Sequence, residues 1–215
     1  MAVTPELGIC EIYYGKPWSW GERRDTVTAL APHGYGFFTY GPKMDGYLRK
    51  QWRSPHPDGA AQEMKDFAAH CRASKVRFGV GLSPYEIYRD FSGDVQADMA
   101  RKLAELDAMG VEDLCILFDD MRGDLPDLAA TQARIVHWMA ERSAATRVIV
   151  CPTYYSDDPA LDRFFGNRPP NYLEDLGAAL DPAIGVWWTG EEVCSREYSP
   201  GHLQRVGEQL QRKPF

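Results

Sequence analysis

Two aspartates, Asp119 and Asp120, stand side by side directly after the apolar run Leu114–Phe118. Like charges this close do not both ionise freely, so one tends to keep its proton toward neutral pH. A protonated acid beside an ionised carboxylate is what general-acid catalysis needs. The pair also fits a helix N-cap in a solvated loop or a Mg²⁺ site beside a phosphate. The metal reading lacks support, because the chain has no G-x-x-x-x-G-K-[ST] loop and no G-x-G-x-x-G after a strand. Lys43, behind Tyr40-Gly41-Pro42, is either an ordinary solvated lysine or a hydrogen-bond donor for a hydroxyl-rich ligand. Tyr13, Tyr14, Tyr155, Trp187 and Trp188 offer aromatic walls and phenol donors of the kind sugar rings pack against. Trp187 lies inside a strand run and reads better as core. The five histidines form neither H-x-H nor H-E-x-x-H, no G-x-S-x-G elbow appears, and no cysteine carries a local catalytic signature. What remains is carboxylate chemistry on a sugar-like ligand.

The elements that must hold these residues alternate. Short apolar runs at Ile9–Tyr14, Gly36–Tyr40, Val76–Leu82, Leu114–Phe118, Val148–Cys151 and Ile184–Trp188 read as strands buried on both faces. Helical stripes lie between them: Ala60, Met64, Phe67, Ala68 and Cys71; Val95, Met99, Leu103 and Leu106; Leu128, Ile135 and Met139; Leu173, Leu176 and Leu180. Ser19 and Glu22 have capping-box spacing, and Ser199-Pro200 predicts a helix start ahead of Leu203, Val206 and Leu210. Repeated β-α order means a parallel sheet. Polar clusters follow nearly every strand, as in a (β/α) TIM-type barrel, rather than one switch point of a doubly wound sheet. The strand spacing, about 35 residues, would need roughly 280 for eight units, where a whole barrel takes about 250. The expectation is an α/β barrel domain over residues 1–215 with about six of eight units, its first and sixth strands left as exposed edges that invite self-association.

The 215 residues carry 24 basic and 31 acidic side chains, a net charge of −7. That balance opposes a nucleic-acid partner bound through phosphates. No window reaches the length and apolarity of a membrane helix, and the N-terminus has no basic n-region of a signal peptide. Five cysteines without a C-x-x-C predict reduced thiols and a cytoplasmic protein, with Cys10, Cys115 and Cys151 buried.

Five segments taken together resemble family 84 of the glycoside hydrolases, the β-N-acetylglucosaminidases that include the O-GlcNAcases. They are Gly8–Trp18, Tyr40–Lys43, Leu117–Asp120, Cys151–Tyr155 and Trp188–Gly190, in family order across essentially the whole chain. The resemblance implies a retaining, substrate-assisted mechanism with no protein nucleophile, an exception to the two-carboxylate scheme. It matches Asp119 to the residue that orients the 2-acetamido group of a terminal β-linked N-acetylglucosamine, and Asp120 to the general acid and base. Lys43, Tyr14 and Tyr155 match sugar-binding residues, Val193 falls where a residue lines the pocket, and no metal or organic cofactor is implied. Two departures stand out. Ile12 replaces a glycine whose carbonyl contacts the sugar, so its side chain needs room. The family also continues into a strand ending in a Trp-Asp-Asn-like motif, where this sequence stops at Phe215. The alternatives are a catalytically impaired, truncated homologue that binds sugar or is completed by a partner, and an unrelated carboxylate enzyme on a similar barrel.

Overall fold

The computed structural model describes residues 5–215. Its order is β1 (Leu7–Glu11), α1 (Trp20–Leu30), β2 (Tyr35–Tyr40), α2 (Asp58–Ala73), β3 (Arg77–Leu82), α3 (Gly93–Ala108), β4 (Asp113–Leu117), α4 (Leu128–Ala140), β5 (Arg147–Cys151), α5 (Ala160–Phe165), α6 (Tyr172–Ala179), β6 (Gly185–Val186) and α7 (Pro200–Leu210). All six strands are parallel and pair in sequence order, β1 to β6. This is α/β architecture with a curled, partial TIM-type barrel, as the alternation predicts. The short helix α5 had no counterpart in the sequence reading.

Local chemistry explains the element starts. Ser19 accepts from the Glu22 amide while Glu22 reaches back to the Ser19 amide, closing the capping box of α1. Ser199 caps α7 by accepting from the His202 amide, with Pro200 at the first helical position. The apolar stripes of α2 and α3 are buried against the outer face of the sheet, in one continuous core. The inner face carries a smaller cluster, Cys115, Leu117, Ile149 and Cys151, on which Ile12, Tyr155, Trp187 and Phe215 pack.

Strand parity and exposure correct two expectations, for Trp188 and for Cys10. Trp188 does not wall the mouth: it points outward, where its indole N–H donates to His202 Nε2 of α7 at 2.8 Å. Trp187 instead faces inward, onto the inner cluster. Cys10 is exposed rather than buried. Among the described residues β1 pairs only with β2.

The sixth strand is not the bare edge expected. The Phe215 amide donates to the Val186 carbonyl at 2.8 Å, and the Trp188 amide donates to the Phe215 carbonyl at 3.2 Å. These two bonds are one rung of a parallel ladder. The Phe215 ring lies 5.5 Å from the Phe37 ring and beneath the Arg147 guanidinium, 4.4 Å away. Phe215→Ala should therefore lower stability by roughly 1–2 kcal/mol for a half-buried aromatic, read as a lower urea midpoint at unchanged slope. An unchanged midpoint would mean the rung carries no weight.

Candidate active site

The C-terminal ends of β1, β2 and β4 converge on one ionic cluster. Phe118 ends the β4 run, its amide donating to the Cys151 carbonyl at 2.9 Å, and a tight turn returns the Met121 amide to the Phe118 carbonyl at 3.2 Å. That carbonyl also accepts from the Thr153 hydroxyl at 3.0 Å. Thr153 in turn accepts from Gln132 at 2.8 Å, and the Tyr172 hydroxyl bonds Gln132, closing a buried ring of polar groups. The backbone leading into Asp119 is thus tied to α4, β5 and α6 at once.

Lys43 is placed by the β2 end, where its amide donates to the Tyr13 carbonyl at 3.0 Å. Its ammonium donates to Asp119 Oδ1 at 2.9 Å and Oδ2 at 2.7 Å, and lies 3.0 Å from Asp120 Oδ2. The position between the carboxylates that a divalent cation would take is filled by this charge. Among the described residues no group of three His, Cys, Asp or Glu gathers as a metal site. Tyr14 donates its hydroxyl to Asp120 Oδ1 at 2.8 Å. The loop carrying Tyr14 is anchored by Glu11, which takes two bonds from Arg23, at 2.6 and 2.8 Å, and one from the Trp18 amide at 3.2 Å. Arg23 lies against the stacked Trp20 and Tyr40 rings, 4.4 and 4.8 Å from their centroids.

One member of the cluster escaped the sequence reading. Arg49 Nε donates to Asp120 Oδ2 at 2.8 Å. It follows the short turn Gly46–Leu48, which Asp45 caps through the Tyr47 amide at 3.0 Å and which the Ser83 amide holds by donating to the Leu48 carbonyl at 2.8 Å. An arginine six residues past Lys43, in the same strand-end loop, was the available signal.

The two carboxylates are electrostatically unequal. Burial raises the Asp119 pKa and outweighs the Lys43 attraction, with the charge of Asp120 adding to the rise. Burial also pushes Asp120 up, but Lys43, Arg49 and Tyr14 together pull it below the ordinary aspartate value. Of the two, Asp120 holds its negative charge the more firmly. Tyr155 is half-buried beside the pair, its phenol pKa raised by burial and then by the Asp119 charge. Val193 sits apart from the bonded network, on the loop after β6, where its amide donates to Asp158 at 3.3 Å.

Ile12 finds its room below the cluster. A Cβ added at Gly41 would lie 3.2 Å from Ile12 Cγ1, and one at Gly81 would lie 3.3 Å from Ile12 Cδ1. The isoleucine fills the space these glycines leave and packs on the inner cluster.

The comparisons with known proteins follow this geometry. Residues 7–215 match the family model described as NAGidase, beta-N-acetylglucosaminidase. The chain belongs to the β-N-acetylglucosaminidase family. This bears out the family 84 resemblance. It is 25% identical over 217 residues to the Protein O-GlcNAcase of Mus musculus, and equally to that of Rattus norvegicus, covering 96% of this chain and 23% of each relative. A solved O-GlcNAc hydrolase mutant from Thermobaculum terrenum superposes with a TM-score of 0.84 at 32% identity, covering 97% of this chain and 46% of that one. The chain thus spans about a quarter of the curated relatives and just under half of the solved hydrolase.

The Ile12 packing is testable. A Cβ at Gly81 would meet Leu117 Cδ1 at 3.0 Å as well as Ile12. Gly81→Ala should cost about 1–3 kcal/mol by overpacking, and Ile12→Ala in the same chain should recover part of that loss. Additive costs in the double-mutant cycle would show that the two positions do not share the space.

Proposed function

We propose that this chain carries the β1–β6 half of a retaining β-N-acetylglucosaminidase site. It would act on glycoconjugates bearing terminal β-linked N-acetylglucosamine. The observation that supports this most is the Asp119–Asp120 pair bridged by Lys43 at the end of β4, with Tyr14 and Tyr155 beside it. In this reading Asp119 accepts the N–H of the 2-acetamido group, and the acetamido oxygen attacks the anomeric carbon. Asp120 gives its proton to the leaving oxygen and then takes one from the water that opens the oxazoline. Lys43 and Tyr155 bind the sugar and its acetamido end, Tyr14 lines the mouth, Val193 lines the pocket rim, and Ile12 contributes its backbone carbonyl from the floor. None of these steps uses a cofactor. The cytoplasmic assignment rests on five free thiols, two of them exposed. Among the described residues no helix is long and apolar enough to cross a membrane. The net charge of −7 argues against a nucleic-acid partner.

A second reading has its own observation. On β1, which pairs only with β2 among the described residues, Leu7 and Cys10 are exposed, and Phe215 adds one rung beyond β6. A chain in this state would be completed by a further segment or by another copy of itself, and would turn over slowly alone. Sedimentation beside an assay separates the readings. A monodisperse monomer whose activity matches that of a version extended by two βα units removes the second reading.

The roles of the pair are testable with fluorogenic β-N-acetylglucosaminides. Asp119→Asn and Asp120→Asn should each reduce the rate by about 10²–10⁴-fold, the range for positioned proton transfer. Asp120→Asn should also slow a poor leaving group more than an activated aryl one. Wild-type rates in either variant, or equal losses on both substrates for Asp120→Asn, would remove the assignment.

A further inference from the structure

Asp120 as it stands is badly prepared to be an acid. Its Oδ1 accepts from the Tyr14 hydroxyl, and its Oδ2 accepts from Arg49 Nε and faces the Lys43 ammonium. Both oxygens thus accept from donors, two of them cationic, and these contacts favour the ionised carboxylate over the protonated one. The groups facing Asp120 are Lys43 at the end of β2, Arg49 in the following turn, Tyr14 after β1, Asp119 on its own loop and Tyr155 after β5. Lys43 is shared with Asp119 and held by both of that residue's oxygens. Arg49 bonds Asp120 alone within the pair, through one nitrogen.

We propose that Arg49 is a displaceable counter-ion of Asp120, a positioning residue that holds the acid ionised at rest and must leave Oδ2 before the acid can work. The inference rests on the reading of Asp120 as the general acid. Arg49 has other partners besides Asp120. Its guanidinium carbon already lies over the Tyr14 and Tyr85 rings, 5.7 Å from each centroid, so these cation–π contacts can hold it once the bond to Oδ2 is given up. When the leaving-group oxygen arrives at Oδ2, Arg49 withdraws and Asp120 takes a proton from solvent. That proton then passes to the glycosidic oxygen as its bond to the anomeric carbon breaks and the bond from the acetamido oxygen forms. Losing one cationic partner lowers the cost of protonating the carboxylate, so substrate arrival itself arms the acid.

Carboxyl-¹³C aspartate labelling of this chain, followed through a pH titration, reads Asp120 without requiring turnover. In Arg49→Gln the Asp120 midpoint should rise by about one unit or more, the range for removing an adjacent arginine. Arg49→Lys should fall between that variant and wild type. An unmoved midpoint in a folded Arg49→Gln chain overturns the counter-ion role. Kinetics then test displacement, because kcat/KM reports the free enzyme and kcat the bound complex. Arg49→Gln should move the alkaline limb of kcat/KM to higher pH and leave that of kcat in place. Equal movement of both limbs would mean Arg49 stays on the acid after substrate binds, contradicting displacement. Failure of Asp120 as the acid would instead appear as wild-type rates in Asp120→Asn, with the raised Asp120 midpoint in Arg49→Gln still present.

Discussion

The Lys43 ammonium is the interaction on which the site depends. Two adjacent carboxylates at a buried strand end repel each other and lose hydration, and each penalty alone amounts to several kcal/mol per ion in a real protein. One cation bonded to both oxygens of Asp119 and within 3.0 Å of Asp120 offsets much of that. The fold is arranged to keep it there. The β2 end fixes Lys43 through the Tyr13 carbonyl, and the polar ring of Thr153, Gln132 and Tyr172 fixes the backbone entering Asp119. The buried Glu11–Arg23 pair fixes the loop that brings in Tyr14. Removing one partner of such a pair leaves an uncompensated buried charge, so these supports are held as tightly as the aspartates themselves.

The lysine does not treat the two carboxylates alike. The two side chains are about equally exposed, but Asp119 gains Lys43 alone, whereas Asp120 also gains Arg49 and Tyr14. A site built this way is stable at rest and mis-set for proton donation, since the group that should carry the proton is the better ionised. In the proposed exchange of Arg49 for a neutral leaving-group oxygen, that bias lessens at the moment substrate is present. Stability of the empty cluster and readiness of the acid are thereby separated in time.

The local patterns that dictate helices and strands were legible residue by residue. Ser19 with Glu22 and Ser199 with Pro200 marked helix starts because capping chemistry is local. Asp119, Asp120 and Lys43 were legible because charge at the end of an apolar strand has few structural uses. What could not be read was side-chain direction and long-range partnership. Trp187 and Trp188 are adjacent, and only strand parity decides which faces the barrel interior and which meets His202. Glu11 finds Arg23 across a loop and a helix turn, and Arg49 finds Asp120 from 71 residues away. Cys10 looked buried because its run is apolar, yet the neighbour that would cover it does not lie on that side of β1 among the described residues.

The central claim is that the Asp119–Asp120 pair works on a sugar whose own acetamido oxygen is the nucleophile. Turnover of aryl β-glucosaminides carrying acetyl, fluoroacetyl, difluoroacetyl and trifluoroacetyl groups on the 2-nitrogen tests it most directly. Each fluorine withdraws electron density from the attacking oxygen while changing the ring and leaving group little. The account predicts a steep, progressive fall in kcat/KM along the series, with no sugar ever attached to the protein. A flat series, or a glycosyl ester trapped on Asp119 or Asp120, would contradict it.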